Sequence, residues 1–77
     1  MNAIRKKYIV KEDNEFQNLM INNLTDDFKA MKNPGFYIEC IKQDNQVAVL
    51  IFGEPSLVKK IGEFSKHLEG HYKAELV

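Results

Sequence analysis

The stretch QVAVLIFGEPS, residues 46–56, is apolar at every position from Val47 to Phe52, and Gly53, Glu54 and Pro55 then break the run. Successive side chains of a strand point to opposite faces of its sheet. A strand of this composition is therefore apolar on both faces and needs two layers of cover. In a chain of 77 residues, near the size at which one core is only marginally sufficient, the second layer is hard to supply from within.

The segment before it, FYIECIK (36–42), has the same β-branched and aromatic character, and Asp44-Asn45 between the two is a turn pair that tolerates positive φ. A tight turn there pairs Gln43 with Gln46, Lys42 with Val47, Cys40 with Val49 and Ile38 with Ile51. Directly opposed residues share a face. One face then carries Phe36, Ile38, Cys40, Val47, Val49 and Ile51, and the other Tyr37, Glu39, Ile41, Ala48, Leu50 and Phe52. A one-residue shift of the turn would swap the faces of one strand, but residues 47–52 stay apolar on both.

Working outward, IRKKYIVK (4–11) reads as a first strand. Asp13 or Asn14 offers a helix N-cap, and Asn14 with Gln17 resembles a capping box. Phe16, Leu19, Met20, Leu24, Phe28 and Met31 recur at helical spacing, and NPG (33–35) ends that helix. A straight helix over residues 13–32 would be about 30 Å long, against about 23 Å for a seven-residue strand. It is therefore expected to overhang the sheet or break at NNLTDD (22–27), where Thr25 can cap a second segment. Glu54, Pro55 and Ser56 open a second helix with Leu57, Val58, Ile61, Phe64 and Leu68 as its apolar positions, and Gly70 is placed to end it. HYKAELV (71–77) reads as a closing strand with Tyr72, Ala74 and Leu76 on one side. The order βαββαβ predicts an α+β ferredoxin-like plait over residues 1–77: a four-stranded antiparallel sheet with both helices on one face.

Composition narrows the function. Eleven basic residues balance eleven acidic ones, which removes any long-range pull toward polyanions. The single cysteine, Cys40, cannot form an internal disulfide, so the expected compartment is reducing and cytoplasmic. No run has the length of a membrane span or a signal-peptide core.

Chemistry-bearing residues are sparse. His67 and His71 stand four apart, a metal-ligand spacing on one helical face, but a helix ending at Gly70 would aim His71 elsewhere. Glu63 and His67 share that spacing, which is common on solvated helix surfaces. Cys40, by its register, is a buried inert thiol. These three, His67, His71 and Cys40, are the candidate metal ligands, with no closed ligand set among them. No paired carboxylates, phosphate loop or nucleophile–base arrangement is evident, so neither an enzyme nor a bound cofactor is expected. Arg5, Lys6, Lys7 and Lys11 flank the first strand, while Lys59, Lys60 and Lys66 lie on the second helix. They read as solvated residues that protect strand edges. A plait that binds single-stranded RNA stacks bases on aromatics of its two central strands. Here only Tyr8 and Phe52 are candidates, so nucleic acid is not the expected partner.

The segment from Asn33 to Val77 is similar to small plait families. Its Pro-Gly before the second strand, Val-rich third strand and closing Gly-aromatic-KAELV resemble heavy-metal-associated domains. That family's metal site is a Cys-x-x-Cys after the first strand. The corresponding VKEDNEFQN (10–18) has no cysteine, so metal transfer carries over to no residue. NPGF and LEGHYKAELV also resemble the maturation chaperone of periplasmic nitrate reductase, a plait that binds a signal peptide. The Asn/Asp-x-Pro-Gly loop of amino-acid-binding regulatory plaits is missing. What these resemblances imply is the fold and a non-catalytic role.

If the β-branched face meets the helices, Tyr37, Ile41, Ala48, Leu50 and Phe52 form an open apolar face, of a kind that more often marks an interaction surface than a bare monomer surface. The expectation is a small binding or regulatory module that self-associates through this face as a homodimer. The alternative is a chaperone or inhibitor holding another protein or a peptide on the same face or on an edge strand; a third reading, ranked below both, is a metal-handling protein using His67, His71 or Cys40.

Overall fold

The computed structural model describes residues 3–32 and 34–77. Strands β1 (Ile4–Val10), β2 (Tyr37–Gln43), β3 (Gln46–Gly53) and β4 (Glu75–Leu76) combine with helices α1 (Asn14–Ala30) and α2 (Val58–His71) in the order β1-α1-β2-β3-α2-β4. The sheet runs β2-β3-β1-β4 with every neighbour antiparallel, the strand order of a ferredoxin-like plait. The turn register is as the sequence predicts: Gln43 opposes Gln46, Cys40 opposes Val49 and Ile38 opposes Ile51. Asn45 takes the left-handed conformation at φ 59°.

Both helices cover one face. Tyr8, Val10, Val47, Val49 and Ile51 from the central strands are buried together with Met20 and Leu24 of α1 and Ile61, Phe64 and Leu68 of α2. Each such side chain contributes about 1.5–3 kcal/mol by leaving water, so β3, with three of them at 0% exposure, is the centre of the core. Phe28, Phe36 and Phe64 pack edge-on or tilted with centroids 5.4–6.2 Å apart, joining α1, the entry to β2 and α2. The Tyr8 hydroxyl reaches Glu69 Oε1 at 3.3 Å, linking β1 to the end of α2.

Helix α1 is one continuous helix and does not break at residues 22–27. Its 17 residues span about 25 Å, which matches a seven-residue strand, so the overhang that motivated a break does not arise. Thr25 caps nothing; its Oγ1 donates to the Ile21 carbonyl at 2.8 Å, the local back-bond a mid-helix threonine can make. Asp13 is the N-cap, with Oδ1 accepting from the Phe16 N–H at 3.1 Å. The buried stripe is rotated from the expected one. Gln17, Met20 and Leu24 are buried, whereas Phe16 and Leu19 are exposed. The helix ends at Ala30; Asn33, the residue before proline, lies outside the described residues.

The C-terminal end differs from expectation too. A 3-10 turn at Pro55–Leu57 leads into α2, Val58 is 63% exposed, and Gly70 lies inside the helix rather than ending it. The left-handed residue is Lys73 at φ 54°, and the Ala74 N–H bonds to the Leu68 carbonyl at 3.2 Å. The extended helix consumes residues expected in the last strand, so β4 is two residues long. A Cβ at Gly70 would meet nothing within 4 Å. Gly70→Ala is therefore expected to raise stability by about 0.5–1 kcal/mol, because alanine loses less backbone entropy in a helix. Chemical denaturation with an unchanged m-value checks this.

Candidate interaction surface on the open sheet face

The side of the sheet away from the helices carries three cross-strand rows. Tyr37 (β2) opposes Phe52 (β3), which opposes Arg5 (β1). Glu39 opposes Leu50, which opposes Lys7; the Val77 N–H bonds to the Lys7 carbonyl at 2.9 Å. Ile41 opposes Ala48, then Ile9, then Glu75. All five residues expected on this face therefore lie on it, but their exposure differs. Tyr37 is 75% and Ile41 40% exposed, Leu50 and Phe52 are half-buried, and Ala48 is closed over at 1%. Small Ala48 sits between Ile41 and Ile9 in its row. Among the described residues no helix lies over the face.

Sequence reasoning expects a contribution from the first strand to this surface but does not name it; the residues are Ile9, Arg5 and Lys7. Strand β1 runs three charged residues, Arg5 to Lys7, into three apolar ones, Tyr8 to Val10, so no alternation assigns its faces, and its register against β3 was not derivable. That register leaves the face an apolar centre of Leu50, Phe52, Ala48, Ile9 and Ile41. Glu39 stands on one flank, with Arg5 and Lys7 on the other. Among the described residues none of these three makes an ion pair within the chain. Tyr8 faces the helices at 1% exposure, so it cannot stack a base, and Phe52 is the single aromatic that β1 and β3 present outward. Strand β4 pairs only with Tyr8 and Ile9, leaving the amino-terminal part of β1 as a free edge beside Arg5 and Lys6. Lysine and arginine there keep the edge hydrated.

The metal candidates divide. Because α2 continues to His71, the His67 and His71 rings are not aimed apart; they stack with centroids 5.3 Å apart and 7° between planes. His67 Nε2 lies 3.4 Å from Asp27 Oδ2 of α1, bridging the two helices at the exposed rim of a depression of about 290 Å³. Cys40 is on the helix-facing side of β2. Among the described residues no group of three or more His, Cys, Asp or Glu side chains is placed to hold a metal ion.

Burial pushes the Cys40 thiol up from its ordinary value, and the neighbouring Glu39 carboxylate adds to the effect. A raised thiol pKa means less thiolate at neutral pH. Alkylation of native Cys40 at pH 7.5 is therefore expected to run at least about tenfold slower than in urea-unfolded chain, a rate any chromogenic thiol reagent reads. The linked stability has a definite sign: it is fully present below the ordinary thiol range and is lost as pH rises through the raised value. Burial, then Asp27 and Cys40, likewise push the Tyr72 phenol up.

No family model, no curated protein and no solved structure matches this chain. Among the described residues no helix is long and apolar enough to cross a membrane.

Proposed function

We propose that the chain is a small non-catalytic binding or regulatory module that works as a homodimer, joined through the open face of its sheet. One observation carries this reading: Tyr37, Ile41, Leu50 and Phe52 form an uncovered apolar surface on the side opposite a complete core. Apolar cover on both sides of β3 is more than the helices of one chain provide, and a second copy supplies the missing layer at the roughly 10 Å spacing of packed sheets.

Sedimentation velocity between about 5 and 500 µM tests it. The wild-type chain is expected to pass from monomer to dimer within this range. Leu50→Asp places a carboxylate at the centre of the face and is expected to weaken the dimer on the order of a hundredfold, with helical circular dichroism retained. A wild-type chain that stays monomeric throughout sinks the reading. A monomer that captures a different protein, and loses it in Leu50→Asp, moves the surface to the peptide- or protein-holding alternative.

A further inference from the structure

The charges around the open face select one way for two copies to meet. In the aligned packing of two sheets, a face-to-face dimer of identical copies has its two-fold axis between them, near the strand direction or near the perpendicular to it. An axis across the strands through the middle row sets Glu39 over the partner's Glu39 and Lys7 over the partner's Lys7. Like charges brought together in a closing interface repel and cost affinity. An axis along the strands but midway between β3 and β1 sets Leu50 over the partner's Lys7, Glu39 over the partner's Val77 and Ile41 over the partner's Glu75, burying charges with no counter-charge.

An axis along β3 exchanges β1 and β2 and keeps the rows. Leu50 and Phe52 then meet their own copies, and Ile41 meets the partner's Ile9. Glu39 meets the partner's Lys7, and the Tyr37 ring meets the partner's Arg5, an arrangement suited to a cation–π contact. Every charged group in the contact has an opposite charge or an aromatic face across from it. Glu39, Arg5 and Lys7, which make no ion pair among the described residues, are used, and Glu75 falls outside the overlap. We infer that two copies of this chain pack sheet to sheet about a two-fold axis running along β3, with Glu39 paired to the partner's Lys7 on both sides. This inference rests on the sheet-face reading above and goes further by specifying its register and its charge pairs.

The contact is small. Three strands about 4.8 Å apart and about 23 Å long offer no more than the roughly 800 Å² per partner of a standard interface. The dimer is therefore expected to have a micromolar constant, and the flanking charges then decide orientation. Each pair occurs twice, so Glu39→Gln is expected to weaken the dimer about three- to tenfold. With the axis across the strands the same change would relieve a repulsion and tighten it.

The deciding experiment is cross-linking in a Cys40→Ser background, with sedimentation run on the same samples. Glu39→Cys and Lys7→Cys variants are treated with a short bis-maleimide, each alone and then mixed. Only the mixture is expected to give a covalent dimer. Cross-linking of Glu39→Cys with itself would overturn the inference while leaving the sheet-face reading intact. Dimers by sedimentation with no cross-link in any sample would place the contact elsewhere and overturn both, as would monomers in the unsubstituted chain.

Discussion

Gln17→Glu is expected to be the most damaging single-atom change in this chain, lowering unfolding stability at pH 7 by about 3–5 kcal/mol. Gln17 is fully buried in the first turns of α1. Its Nε2 contacts three carbonyl oxygens: Gln43 at 2.8 Å, Glu12 at 3.1 Å and Gln46 at 3.3 Å. Those carbonyls belong to the β1–α1 connection and to both sides of the β2–β3 turn, so one amide ties the helix start to the hairpin. The Glu12 N–H also reaches the Asn45 carbonyl at 3.2 Å, a second link between the same two segments. A carboxylate in this position would face three acceptors with nothing to donate. Its pKa would rise, and the variant would regain stability as pH falls toward the range of an ordinary glutamate. Gln17→Met removes the donor without adding a charge and is expected to cost about 2–3 kcal/mol with little pH dependence. Urea denaturation of both variants at pH 4.5 and pH 7 separates the cases. Equal losses for both at both pH values would mean that the amide contributes volume rather than hydrogen bonds.

The second large effect is expected at Gly53, where the apolar run ends. This residue opposes Ile4 on the helix-facing side of the sheet. A Cβ there would stand 2.5 Å from Ile61 Cδ1 and 3.0 Å from Phe36 Cβ. Ile61 is 0% and Phe36 2% exposed, so neither can swing into solvent. Gly53→Ala is expected to cost about 1–3 kcal/mol by overpacking, opposite in sign to Gly70→Ala. Ile61→Val deletes the nearer methyl, so the double variant should recover part of the loss. That leaves a coupling energy of about 0.5 kcal/mol or more in a double-mutant cycle. Additive losses would show that the strand end moves instead and that α2 does not lie hard against it.

Gly53 and Gly70 also show why the sequence was readable at some points and misleading at others. Punctuation by glycine is legible as a residue type, but its reason depends on what lies within 4 Å, which only the packed structure supplies. Gly53 is needed because α2 and Phe36 press on it; Gly70 faces open space, and the helix runs through it. That extension brought His71 onto the face of His67 and shortened β4 to two residues. The same distinction applies along α1. Its 3.6-residue period marked a helix, yet Phe16 and Leu19 were assigned to the buried stripe while polar Gln17 took the buried place. Hydrophobicity alone cannot anticipate a side chain buried because three carbonyls need its donor.

The sequence by itself determined the element order, the hairpin turn at Asp44-Asn45 and the division of β2 and β3 into two faces. Those features rest on local geometry: a period of two residues, a short turn and the chirality of crossovers. Only the tertiary structure decided which residues of β1 join the open face, because its register against β3 is set by packing between residues about 37 to 49 positions apart in the chain. Tertiary packing likewise made QVAVLIF a strand with one side finished and the other uncovered, with Glu39 on one flank and Arg5 and Lys7 on the other. The run of apolar residues announces that two layers are required. Those charges make no ion pair among the described residues, and their placement supports the proposal that a second copy is the missing layer.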